Sequence, residues 1–359
     1  MASKLVTRLL MALAALSLLA GLVSGLVRLG WFIPLPTVSL PDHHGPLMVV
    51  GFLGTLIGLE RAVALGWRWT YCAPFFAVSS ALVFMTDLPI AAGQLLAALS
   101  SLCLVSISLV LYCRHPVGFL ATIGLGAVLW FAGNLLWTGG YPLHRVVGWW
   151  IGFPLITIAG ERLELSRLRR PSLWSKAGFL LANVIFVLGL VVSVVDFLPG
   201  VRLAAVGVVA VTLWLLCYDI AWRTVRHKGL PRYMAICLLT GYLWLGLGGV
   251  LWFVFADLFI AGLHYDAILH AFFLGFVFSM IFGHAPIVFP SVVGVPLPFR
   301  HAFYVHLVLL HLSVLLRVTG DLTGRVAGAK WGGLLSVLTI LVFLVNNVRS
   351  IILARFENP

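Results

Sequence analysis

A chain of 359 residues that is 62% hydrophobic and 9% charged, with a mean hydropathy of +1.11, is excluded from the soluble class. Soluble domains carry roughly a quarter charged residues. The net charge of +12, from 23 Lys and Arg against 11 Asp and Glu, is no nucleic-acid footprint, because the basic residues gather at alternate ends of apolar stretches.

Those stretches, each near the length that crosses a bilayer, predict about twelve helices in chain order: 5–28, 44–65, 71–86, 89–112, 117–138, 145–164, 175–196, 199–221, 233–257, 264–288, 301–318 and 330–354. The first is read as a span rather than a cleaved signal peptide, being long and lacking a small-x-small cleavage site. Little sequence is left over, so residues 1–359 are expected to form one integral-membrane, all-α domain. Lys4, Arg8, Arg68, Arg114, Arg162, Arg167, Arg169, Arg170, Lys176, Arg223, Arg226, Lys228, Arg232, Arg300, Arg349 and Arg355 fall on one side. Asp42, Asp87, Asp196, Asp257 and Asp266 fall on the other, with Arg145, Arg202, Arg325 and Lys330 as exceptions. The positive-inside rule then puts both termini in the cytoplasm. The five cysteines show no CxxC spacing and read as packing residues.

The second predicted helix is repeated. Residues 40–62, LPDHHGPLMVVGFLGTLIGLERA, align without gaps over 141–163, YPLHRVVGWWIGFPLITIAGERL. Pro41 meets Pro142, His43 meets His144, and Glu60-Arg61 meets Glu161-Arg162. A third Gly-Phe, Gly275-Phe276, extends the series with fewer identities, placing Asp266 under Asp42, Ile281 under Ile57 and His284 under Glu60. These segments are the second, sixth and tenth helices. Three quasi-equivalent sets of four helices, centred on 44–65, 145–164 and 264–288, are therefore expected.

An ionisable group within a spanning helix is costly and marks a functional hypothesis. His44 shares a face with Met48 and Gly51, while Gly54 and Gly58 allow close approach of another backbone. His270 shares a face with Leu274, Val277 and Ile281, with Gly275 leaving space. Counted from the aligned Gly-Phe, the two histidines differ in depth by only about 3 Å. Two inward imidazoles at one depth suit the axial ligands of a low-spin haem, and the glycines suit a porphyrin. The bland alternative is that each histidine bonds a carbonyl and joins helices. His43 lies at the water boundary beside Pro41 and Asp42. One residue turns a helical side chain by about 100°, so His43 and His44 are not expected to share a pocket.

At these residues the chain resembles the NnrS-type membrane proteins. His44, Met48 and Gly51-Phe52 look like that family's H-x-H-x-M-x-x-G-F motif, His270, Ala271, Gly275 and Met280 like its H-A-x-x-x-G-x-x-x-x-M motif, and LLRVTGDL at 315–322 like its LxRV segment. HGPLM at 44–48 is also similar to the second helix of haem-copper oxidase subunit I. The resemblance implies twelve helices, haem (b-type), copper, and a role in nitric oxide response or electron transfer, with nitric oxide or a redox donor as partners beside lipid. It also implies a bacterial cytoplasmic membrane. The departures are specific. Pro46 stands where the motif has its second histidine, the sixth and seventh helices lack a mid-membrane histidine, and the tenth reads HAF rather than H-x-H. The three-His copper site is absent, so oxygen reduction at a haem-copper pair is not expected.

A second constellation lies near the cytoplasmic side. His284, Glu60 and Glu161 occupy equivalent repeat positions, and His306 lies at similar depth. Carboxylates with histidine can bind a metal or relay protons, whereas Glu60-Arg61 and Glu161-Arg162 also read as ion pairs anchoring helix ends. Trp130, Trp137, Trp149 and Trp150 are assigned to an aromatic belt or the core. Three function classes stand: a haem-binding membrane protein, a transporter, with Pro46 and Pro154 as broken-helix cues, and a metal-free membrane scaffold or sensor.

Overall fold

The computed structural model describes residues 4–35, 37–169 and 172–357; Arg170, counted above among the cytoplasmic basic residues, lies outside them. Helix forms over every predicted segment, and no strand occurs among the described residues. We label the helices α1 (Lys4–Arg28), α2 (Leu40–Leu65), α3 (Trp69–Phe84), α4 (Ile90–Arg114), α5 (Gly118–Thr138), α6 (Leu143–Ser166), α7 (Leu173–Val195), α8 (Phe197–Tyr218), α9 (Leu230–Val254), α10 (Leu263–Val293), α11 (Phe303–Leu322) and α12 (Val326–Glu357). Among the described residues, ten of these are long and apolar enough to cross a membrane; α3 is a shorter apolar helix and α6 is not among the ten. Only helices satisfy their own backbone groups in lipid without closing a barrel, so the chain is a polytopic membrane protein.

Local chemistry sets the helix ends. Gly66 closes α2 at φ +73° and Gly262 precedes α10 at φ +90°, conformations that a Cβ would strain. The Ser172 hydroxyl caps α7 by accepting from the Ser175 amide at 3.2 Å.

The chain separates into two compact units, one running through Phe153 and including Val288–Val295, the other covering Pro154–Ile287 and the remainder from Pro296.

In the first unit α2 is packed on both glycine-bearing faces. A Cβ at Gly51 would lie 2.7 Å from Ala81 Cβ and 3.0 Å from Ser17 Cβ, and one at Gly54 would lie 2.5 Å from the Trp130 ring. The predicted close backbone approach occurs at Gly58, against Ala73-Pro74 of α3; at Gly54 a tryptophan ring takes the space instead. Trp130 stacks on Phe153, 4.6 Å between centroids, and Trp150 donates to Asn134 Oδ1 at 2.9 Å, while Asn134 donates to Ala97 O and Ser101 Oγ. All four singled-out tryptophans are buried, so they belong to the core rather than to a belt.

In the second unit, α7 and α8 meet backbone to backbone: Gly189 abuts Ala204, Gly200 abuts Ser193, and Gly207 abuts Phe186. The α11–α12 hairpin repeats this, with Gly320 against Ala329 and Gly332 against Arg317. Small residues let helices approach where lipid offers no hydrophobic drive to association.

The least regular feature is shared by two helices. An eight-residue π-helical run occupies Leu47–Gly54 in α2, and another occupies Ala271–Phe278 in α10. Gly51 and Gly275 are each the fifth residue of the run, and Phe52 and Phe276 the sixth. Each run ends on the same bonds: Thr55 N–H to Phe52 O, and Ser279 N–H to Phe276 O. π-helix makes up under about 1% of residues and is usually a single-turn bulge, so two runs of one length and register set α2 and α10 apart from the other helices among the described residues. In α6, whose sequence matches α2 better, the helix is α throughout and passes through Pro154.

Candidate functional site

In α2, both histidines use Nδ1 on main-chain carbonyls of different helices. His44 Nδ1 lies 2.7 Å from Gly21 O of α1, and His43 Nδ1 lies 2.9 Å from Phe84 O of α3, with its ring 5.4 Å from that of Phe84. A carbonyl only accepts, so each Nδ1 carries the proton and Nε2 of the neutral ring carries the lone pair. The two neighbours diverge, as one residue of helical rotation requires. The His44 ring rests on the backbone of α1: a Cβ at Gly25 would lie 3.0 Å from its Cε1, and one at Gly21 would lie 2.6 Å from Met48 Sδ. Met48 therefore fills the notch of Gly21.

In α10, His270 is the last α-helical residue before the π run. Its Nδ1 donates to Asp266 O at 2.8 Å and lies 3.5 Å from Asp266 Oδ1, so its neutral tautomer matches that of His44. Asp266 accepts from Arg317 Nη2 of α11, and Arg317 Nε lies 3.8 Å from Asp321 Oδ2. Carboxylates and carbonyls behind an imidazole fix its orientation and raise its basicity as a ligand.

The clearances expected for a porphyrin at Gly51 and Gly275 are taken by protein. Ser17 and Ala81 fill the first, and the Trp244 ring of α9 fills the second. These glycines, with Met48, serve helix packing. Trp244 in turn donates to His311 Nδ1 at 3.0 Å.

The expected inner cluster resolves differently for each member. Glu60 pairs with Arg61 at 3.5 Å, which is the helix-end anchor. Arg162 does not follow that pattern. It is 3% exposed and its Nε lies 3.6 Å from Oδ2 of fully buried Asp219. Tyr242 OH donates to the same oxygen at 2.9 Å, and Asp219 Oδ1 accepts the Ala221 amide at 2.6 Å. Arg169 Nη1 donates to the carbonyls of Cys217 and Asp219, closing the end of α8. His284 Nδ1 donates to Met280 O at 2.8 Å. His306, completely buried, has both nitrogens engaged, Nε2 with Tyr233 OH at 3.0 Å and Nδ1 with Asn346 Nδ2 at 3.2 Å, inside a cage of Phe282, Phe303 and Phe343. It is a core histidine. Among the described residues no group of three or more His, Cys, Asp or Glu is placed to hold a metal ion.

Sequence reasoning missed Asp219, Tyr242 and Asp321. Asp219 had a signal, being an isolated acid at an end crowded with Arg223, Arg226 and Lys228. Asp321 had another, four residues after Arg317.

No curated protein matches the chain. The model of a family described as a domain of unknown function, DUF8744, matches residues 7–352, nearly the whole length, and the chain belongs to that family.

Proposed function

We propose that this is a haem-binding protein of the bacterial cytoplasmic membrane, in which His44 and His270 each ligate haem iron through Nε2. One observation carries the reading: His44 lies three residues and His270 one residue before two π-helical runs of identical length and Gly-Phe register, each with Nδ1 bonded to a main-chain carbonyl. π segments concentrate at functional sites because the extra residue re-aims side chains. The donor chemistry fits the group, since a neutral imidazole with its Nδ1 proton engaged presents Nε2 as the ligand nitrogen. Bound haem would supply a one-electron iron centre suited to electron transfer or to nitric oxide response.

The protein's own part is to hold each imidazole in one tautomer. At His44 the backbone of α1 does this, through Gly21 O and the flat surface at Gly25. At His270 the Asp266 carbonyl does it, with the Asp266 carboxylate clamped by Arg317. Copper has no place in the proposal, there being no cluster of three suitable side chains among the described residues.

The architecture in this reading is twelve spans in three sets of four, with both termini cytoplasmic. One pattern supports it: contacts through a glycine recur between the first two helices of each set. They lie at Gly21–Met48, Gly133–Trp149 and Gly241–Met280.

An absorption spectrum of the detergent-purified protein, expressed with added haem precursor, tests the proposal. A Soret band with sharp α and β bands on reduction is expected. A colourless protein would overturn it.

A further inference from the structure

At the end of α11 remote from His306, one arginine is shared by two acids. Arg317 is 5% exposed and Asp321 is 1% exposed. Arg317 gives Nη2 to Asp266, whose side chain is 32% exposed, and keeps only its Nε near Asp321, at 3.8 Å and beyond hydrogen-bonding distance. Neither oxygen of Asp321 receives a hydrogen bond. The charged groups acting on Asp321 are Asp266 of α10 and Arg317 of its own helix. His270 bonds Asp266 one turn deeper, and α12 approaches through Gly328 and Ala329 against Gly320.

We propose that Asp321 is a proton-binding site, held as the neutral acid while Asp266 keeps the guanidinium. The charge balance carries this. With both acids ionised the trio Asp266, Arg317 and Asp321 has a net charge of one negative, on a carboxylate that no donor solvates. A buried charge without pairing or hydrogen bonds costs far more than a neutral polar group in the same place. One proton, passed from hydronium to a carboxylate oxygen of Asp321, closes the balance: an O–H bond forms on the acid, one breaks in hydronium, and water leaves. Asp266 is the wrong place for it, being partly exposed and in direct contact with Arg317. The trio therefore alternates between neutral and singly negative with the loss and gain of one proton. The inference does not need bound haem, although Asp266 also backs His270.

Infrared spectra of the purified protein in H2O and D2O test it. A carboxylic-acid carbonyl band, shifted down in D2O, is expected at neutral pH and should fade reversibly as pH is raised. Asp321→Asn, isosteric with the neutral acid, should remove that band and keep the fold. Asp266→Asn should remove it too, because Arg317 then becomes the partner of an ionised Asp321. The second variant and the wild-type pH titration decide the matter if the first does not fold. An unchanged band in Asp321→Asn, its persistence in Asp266→Asn, or its absence from the wild type at neutral pH would overturn the proposal. So would a band governed by sodium rather than by pH, which would assign a metal cation to the site.

Discussion

Thr55 and Ser279 make the same bond at the same place in two different helices. Thr55 Oγ1 donates to Gly51 O at 2.6 Å, and Ser279 Oγ donates to Gly275 O at 2.6 Å, each just past a π-helical run. A hydroxyl that reaches back four residues gives the carbonyl a second partner where the wide turn disturbs the ladder. If the runs are equivalent, the hydroxyls are too. Thr55→Val and Ser279→Ala should each destabilise the protein by a similar amount, about 1 kcal/mol, read by unfolding in mixed micelles. A cost at one position and none at the other would break the equivalence.

The α7–α8 hairpin has no room for side chains at its crossing points. Gly189→Leu or Gly207→Leu should abolish folded protein, since a Cβ there meets the backbone of the facing helix. Gly178→Ala, on the same α7 but with nothing within 4 Å, should fold normally. Size-exclusion profiles of the three variants report the outcome, and normal folding of Gly207→Leu would refute the contact.

Removing one member of a buried ion pair leaves the other uncompensated, at a cost on the order of 3–5 kcal/mol. Asp219→Ala should therefore lower thermal stability severely, because it strands Arg162 and Tyr242 together. Glu60→Gln, where the Glu60 side chain is 30% exposed, should cost less than about 1 kcal/mol. Comparable melting temperatures for the two variants would contradict the assignment of Arg162 to Asp219.

Orientation is tested with reporter fusions. Those placed after Lys176 and Arg232 should read cytoplasmic, and those near Asp196 and Asp257 external. The reverse pattern would invert the protein and place Asp266, Arg317 and Asp321 on the cytoplasmic side.

The helices themselves were legible in composition, because apolar runs of that length have few other solutions in lipid. Ends were less so: α10 extends to Val293, beyond the expected 288, since Ile287, Val288 and Phe289 continue the apolar run past Pro286. The π runs were invisible. LMVVGFLG and AFFLGFVF are apolar at nearly every position, so no periodicity distinguishes a wide helix from an ordinary one. Counting identities favoured α6 as the partner of α2, yet α6 has Ile156 where α2 has Thr55 and α10 has Ser279. The small hydroxyl after Gly-Phe was the better guide. At the site, the tautomers of His44 and His270 depend on carbonyls that no pattern reveals, and the space beside Gly51 and Gly275 belongs to Ser17, Ala81 and Trp244, residues of other helices. Asp219 was overlooked for a related reason: adjacency in sequence paired Arg162 with Glu161, while folding paired it with another helix.

The most direct test of the haem proposal is the spectrum of three histidine variants side by side. An axial ligand removed opens a coordination position on iron, so His44→Ala and His270→Ala should each lose haem or convert it from low spin to high spin. His43→Ala should leave the spectrum unchanged, since its ring is turned to Phe84 of α3 whereas that of His44 is turned to Gly21 of α1. Loss of haem in His43→Ala with an intact spectrum in His44→Ala would show that the wrong histidine was assigned. An unchanged spectrum in both His44→Ala and His270→Ala would contradict the account altogether.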